Sequence, residues 1–149
     1  MKKSIIYIHN NKVGFVGISP EYSNNINLII EKDIPKDCNY LIIDGDIDID
    51  PIFTGAVFGK LSKTNEIILD YDLDKAKNIW IEFYRKSRTP LLEKLDIDFM
   101  KALEANDEAK KAEIVAAKQA LRDVTLTPLP DDLEEIKATW PDILGQKPF

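Results

Sequence analysis

Up to Asp70 the apolar residues come in short runs broken by Asn, Asp, Gly and Pro, and beyond it they recur three and four positions apart. The first pattern is that of strands and the second that of amphipathic helices, because strand side chains alternate faces whereas helix side chains return to one face about every 3.6 residues. Residues 4–8 and 13–18 are β-branched or aromatic runs on either side of Asn10-Asn11, a pair that tolerates positive φ, and they predict a hairpin. Further strands are expected at residues 26–30, 40–43, 52–58 and 66–69, with the polar stretch 60–65 turning a second hairpin. The expectation is one small antiparallel sheet of about five or six strands.

The period changes over residues 70–74, where Asp72 or Asp74 can cap a helix carrying Ala76, Ile79, Trp80 and Phe83 on one face. Pro90 is expected to end that helix and, with Thr89 as cap, to open a second one whose stripe is Leu92, Leu95, Phe99 and Leu103. Asn106 or Asp107 restarts the chain, and Ile114, Ala117, Leu121 and Val124 form a third stripe. Residues 126–130 read as a linker, after which Asp131 and Glu134 make a cap-like pair for a short helix running to about Thr139. Trp140-Pro141 ends it. The predicted class is α+β, with a β-rich domain over residues 1–72 and a helical domain over residues 73–149. Each helix has too little apolar surface to stand alone, so the helices must pack on each other, on the sheet, or on another copy of the chain.

Composition narrows the functions. The 149 residues carry a net charge of −6, and neither part of the chain is basic: residues 1–72 hold seven basic against 11 acidic side chains, and the remainder 13 against 15. Phosphate binding requires clustered Lys and Arg, and the only arginines are Arg85, Arg88 and Arg122, so nucleic acid is not an expected partner. A membrane is not expected either, since no run approaches the roughly 20 apolar residues of a spanning helix. The apolar run after Lys2-Lys3 stops at His9-Asn10, too early for a secretion signal. Cys38 is the single cysteine, so no internal disulfide is available, and it has no CxxC partner or basic neighbour to activate it.

Asp44, Asp46, Asp48 and Asp50 alternate along residues 44–50 and would share one face of an extended strand. Their spacing does not meet that of an EF-hand, because Gly45 stands second in the run instead of sixth and Gly55 occupies the twelfth position. They read as a solvated face that discourages edge pairing, with no metal expected. His9 is the only histidine and lacks a nucleophile and an orienting carboxylate in any recognisable arrangement. Neither a phosphate-binding glycine loop nor a metalloprotease or nucleophile-elbow motif is present, so no catalytic residues, cofactor or enzymatic activity are expected. Trp80, Phe83, Tyr84 and Trp140 are either anchors for a partner or core residues, since aromatic side chains dominate both settings.

One pattern goes further. The spacing Arg85-x-x-Arg88-x-x-Leu91-Leu92-x-x-Leu95-Asp96, followed by Lys118-Gln119-Ala120-Leu121-Arg122-Asp123-Val124-Thr125 and then by Trp140-Pro141, resembles the C-terminal domain of phage tail assembly chaperones and tail-fibre assembly proteins. The similarity spans about the last 65 residues. The family often carries Trp after the position of Asp96 and an aromatic pair before its Leu-Arg-Asp helix, where this chain has Ile97 and the alanine-rich residues 112–117. What the resemblance implies is a non-catalytic protein that binds a phage tail-fibre or tail protein in the host cytoplasm and assists its assembly. The partner contacts would be Trp80, Tyr84, Arg85, Arg88, Arg122 and Trp140. A structural component retained on the virion tail is the near alternative, and a host-directed binder of a small ligand is the distant one. Arg85 or Arg88 paired with Asp123 would fasten the first helix to the third.

Overall fold

The computed structural model describes residues 1–149 except Asn11 and Asn65. The chain is α+β and divides into two compact units, Met1–Asp72 and Leu73–Phe149.

In the first unit, β1 (Lys3–His9) and β2 (Lys12–Ile18) form the expected antiparallel hairpin, in register from Lys3 opposite Ile18 to His9 opposite Lys12. Asn10 takes the left-handed conformation (φ 49°) that such a short connection demands, and Asn11 of the predicted turn lies outside the described residues. β3 (Asn39–Asp44) pairs antiparallel with the other edge of β1, giving the order β2-β1-β3.

The run expected as a strand at residues 26–30 is instead helical: α1 spans Ile26–Asp33. Ile26, Ile29 and Ile30 are three and four apart, and as a helix they all reach the core of Ile5, Ile18 and Ile34 that lies on one face of the sheet. As a strand, alternation would have turned part of this set to solvent. Cys38 packs against the same core and donates to the Pro35 carbonyl at 3.0 Å.

Residues 52–58 are likewise not one strand. Pro51–Ala56 forms a 3₁₀ segment, begun by Asp50, whose carboxylate accepts from the Ile52 N–H at 3.0 Å. Pro51 fixes a helical φ at the first position, and the turn buries Phe53 and Ala56, which outweighs the β-branched composition. Only Val57–Leu61 (β4) is extended, and it pairs with β5 (Ile67–Tyr71) as a separate two-stranded sheet, so the single sheet of the sequence reading is two. Asn65, placed in the second turn, lies outside the described residues. Around it, Ser62 Oγ accepts from the backbone N–H groups of Thr64 and Glu66. β4 crosses the second face of the larger sheet so closely that a Cβ on Gly59 would lie 3.0 Å from Val13 and 3.1 Å from Ile8. The three-stranded sheet is thereby covered by α1 on one face and by the smaller hairpin on the other.

The carboxylate run does not lie on a strand face. β3 ends at Asp44, and Gly45 turns the chain with φ 98°. Asp44 and Asp46 pair with Lys3 and Lys2, while Asp50 caps the 3₁₀ segment.

In the second unit, α2 runs unbroken over Leu73–Glu104, through the position where Pro90 was expected to divide it. Proline removes one N–H, which orphans the Lys86 carbonyl. Lys86, Thr89 and Pro90 are all exposed, so water can serve that carbonyl, and the buried stripe on the opposite side continues. Thr89 does not cap; its hydroxyl bonds back to the Arg85 carbonyl at 2.9 Å. Asn106 and Asp107 are both used at the next corner. Asn106 (φ 54°) ends α2 in a Schellman arrangement, with Asp107 N–H to Ala102 O and Asn106 N–H to Leu103 O, and the Asp107 carboxylate then caps α3 (Glu108–Asp123) at the Lys110 N–H. The inward residue at this end of α2 is Ala102, whereas Leu103 is exposed. α4 (Leu133–Ala138) is capped by Asp132, not Asp131, which pairs instead with Lys77.

Gly14 allows one test of this packing. It faces Tyr7 across the hairpin, and a Cβ there would lie 2.1 Å from the tyrosine Cζ. Gly14→Ala should therefore push the ring off the core and lower stability by about 1–3 kcal/mol in a thermal melt. Tyr7→Ala combined with it should cost less than the sum of the two changes, because the clash then disappears.

Candidate functional site

The sequence-selected residues converge in the second unit, and most turn inward. Trp80 and Tyr84 are four apart on α2 and both are 0 % exposed. Each brings a polar group into the interior that must find a partner. The Trp80 indole N–H donates to the Thr139 carbonyl at 2.8 Å, and the Tyr84 hydroxyl donates to the same oxygen at 2.7 Å. Thr139 is the residue that ends α4, so one carbonyl satisfies both donors and holds the following segment against α2.

Trp140 comes next and is half-buried, its ring edge-on to Trp80 at 5.9 Å and to Tyr84 at 5.3 Å. Its own N–H closes the succeeding turn by donating to the Gly145 carbonyl at 2.8 Å. Phe149 completes the group, 5.3 Å from Trp80 and 5.0 Å from Phe83 between ring centres. Of the two readings open for Trp80 and Tyr84, partner anchor or core, their burial favours the core. They are internal clasps, and in the folded chain a partner could touch only the rim of the cluster.

The arginines separate into two kinds. Arg88 reaches the C-terminal end of α3, where its guanidinium donates to the Arg122 carbonyl at 3.0 Å and lies 3.5 Å from the Leu121 carbonyl and 3.4 Å from the Thr125 hydroxyl. Those carbonyls are unsatisfied by the helix itself and carry the negative end of its dipole, so a cation there is favourable. The expected Arg–Asp123 ion pair is therefore replaced by an arginine cap: the two helices are fastened at the predicted place, but to backbone. Asp123 accepts instead from Gln119 at 2.8 Å. Arg85 pairs with Glu82 on its own helix, and Arg122 is exposed. Farther along, Lys118 pairs with Asp96 and stands 5.8 Å over the Phe99 ring, a second tie between α2 and α3.

An open cleft of about 270 Å³ lies between Leu91, Leu95, Ala117, Leu121 and Ile143, with Lys94 and Asp98 at its lip. Ile97, Met100 and Leu103 on α2 and Val115 on α3 are exposed apolar residues towards the Asn106 corner. Among the described residues no group of three His, Cys, Asp or Glu side chains could hold a metal ion, and no helix is long and apolar enough to cross a membrane. His9 is exposed, with the Asn10 amide 3.1 Å from its ring nitrogen. Thr139, Lys147 and Phe149 were not singled out from sequence. Nothing in a threonine reports its carbonyl, although Phe149, an aromatic in a short polar stretch, offered a faint signal.

No protein-family description, characterised protein or solved structure matches the chain.

Two outcomes follow from the geometry. Arg88→Ala should lower stability by about 1–3 kcal/mol, because α3 loses its capping cation, whereas exposed Asp123→Ala should stay within about 0.5 kcal/mol of the parent. Equal melting of the two variants would contradict the cap. Burial pushes the Tyr84 phenol above its ordinary value of 10.0, with the Trp80 N–H acting weakly in the opposite sense. The unfolded chain then loses this proton at a lower pH than the folded one, so the stability tied to the neutral phenol is complete below about pH 10 and declines above it. Melting curves of the parent and Tyr84→Phe should accordingly differ most near neutral pH and converge as the pH rises past that value.

Proposed function

We propose that this chain is a non-catalytic accessory protein of a bacteriophage tail, acting as a chaperone that binds a tail-fibre or tail protein during its assembly. The observation that carries this reading is the convergence of the residues shared with the tail-fibre assembly pattern. Arg88 meets the backbone of Leu121 and Arg122, Leu91 and Leu95 face Leu121 across one cleft, and Trp140 docks on α2. Residues scattered between positions 88 and 140 thus meet within one folded unit, as a domain signature requires. Ile97, Met100, Leu103 and Val115 are exposed apolar side chains of the kind that a protein partner covers.

In this reading the protein works in the host cytoplasm and uses binding alone. Its acidic balance keeps a complex with an aggregation-prone fibre in solution, while apolar surface on the helical hairpin supplies the grip. A long tail-fibre gene is expected beside this one; co-expression of the two should raise the soluble yield of fibre, and the two chains should elute together on size-exclusion chromatography. A fibre that folds equally well alone, with no complex surviving the column, would refute the chaperone role. Detection of the chain in purified particles would instead favour the retained tail component.

A further inference from the structure

We propose that Trp80 and Phe83 form an aromatic socket for a protein segment of the type basic residue, spacer, aromatic residue, and that Phe149 occupies this socket in cis. The walls are fixed without help from the occupant. Trp80 is held through Thr139, Trp140 through Gly145, and Phe83 sits one turn along α2 from Trp80 with the rings edge-on at 6.0 Å. A preformed site of this kind needs little ordering when it is filled.

The occupant is held differently. Residues 146–149 have no helix or strand, and among the described residues no backbone hydrogen bond ties them to the rest of the unit. Two side chains do the work. Lys147 donates to the Lys137 carbonyl and stands 6.0 Å over the Trp80 ring, and Phe149 packs against both Trp80 and Phe83 while remaining 52 % exposed. A segment anchored by side chains alone opens far more readily than the helices beneath it. When it lifts, it uncovers a tryptophan and a phenylalanine on a rigid helix, the side-chain chemistry that anchors protein interfaces.

The resident segment also states what an incoming one must offer. An aromatic ring must pack tilted against Trp80 and edge-on to Phe83, and a cation two positions before it must meet the Lys137 carbonyl and the indole face. Tethering presents the cis segment at an effective concentration on the order of millimolar. A second copy at micromolar concentration cannot compete with that using the identical segment, so exchange between copies is disfavoured. The occupant to expect is a different protein whose segment binds the open socket more tightly.

The probe is a blocked synthetic peptide with the sequence of residues 146–149, titrated into the isotope-labelled full chain while the indole N–H signals of Trp80 and Trp140 are followed by NMR. Phe149→Ala should remain folded and move the Trp80 signal. The peptide should then bind this variant at least about tenfold more tightly than the parent, in which the tether competes, and return the signal towards its parental position. Lys147→Ala, which loosens the strap without touching the aromatic residue, should also bind more tightly than the parent. The same peptide with its phenylalanine replaced by alanine should cause no shift. Equal binding by parent and variants, or no saturable shift in either variant, would overturn the proposal.

Discussion

The carbonyl oxygen of Thr139 is the acceptor on which the helical unit closes. Burying a tryptophan and a tyrosine four residues apart brings two donors into a region without water, and leaving either unpaired would cost about 1–3 kcal/mol. A backbone carbonyl has two lone pairs, and this one accepts from both donors at 2.8 and 2.7 Å. Because it lies just past the end of α4, the bond pair sets where that short helix ends relative to α2 and which way the chain leaves it. Trp140 is then delivered edge-on to the same two rings, and the turn closed by Gly145 follows from its indole N–H. Six helical residues in α4 could not hold this position by themselves.

The β-rich unit answers a different constraint. A three-stranded sheet whose central strand reads Ser4-Ile5-Ile6-Tyr7-Ile8 is apolar on both faces, so each face needs a cover. α1 supplies one through Ile26, Ile29 and Ile30, and the β4–β5 hairpin supplies the other, approaching closely enough that a Cβ at Gly59 would press on Ile8 and Val13. That demand explains why residues 26–30 are helical in spite of their strand-like composition. The set Ile26, Ile29 and Ile30 is spaced for a helix face, and the neighbouring Leu28, which breaks the spacing, is the one left exposed.

The α+β class, the first hairpin and the Asp107 cap were legible because each rests on local chemistry: paired asparagines, alternating β-branched runs, a carboxylate ahead of a helical stripe. What was not legible depends on what lies across from a residue. Pro90 carries the same local signal whether its turn faces water or the interior, and only exposure of Lys86, Thr89 and Pro90 lets the helix continue. Asp50-Pro51 begins a helical turn, but the isoleucine and phenylalanine after it carry a strand-like local signal that hides the start. For the candidate site, sequence located the fastening between α2 and α3 but named the wrong acceptor. Backbone carbonyls at a helix end are present in every sequence and therefore mark none.

That substitution of backbone for carboxylate bears on where a partner can bind. Had Arg85 or Arg88 paired with Asp123, the polar side chains of the tail-fibre assembly pattern would have been consumed by the fold. Instead Arg88 alone turns inward, and it needs only the chain direction of α3, which any residues at positions 121 and 122 could provide. Arg122 and Asp123 thus have exposed side chains that the packing of α2 on α3 does not require. Trp80 and Tyr84, the aromatic residues that composition would nominate first, are withdrawn behind Thr139 and Phe149. A partner approaching the closed form therefore meets charge at the end of α3 and apolar side chains towards the Asn106 corner, and it meets the indole of Trp80 only after the segment around Phe149 has moved.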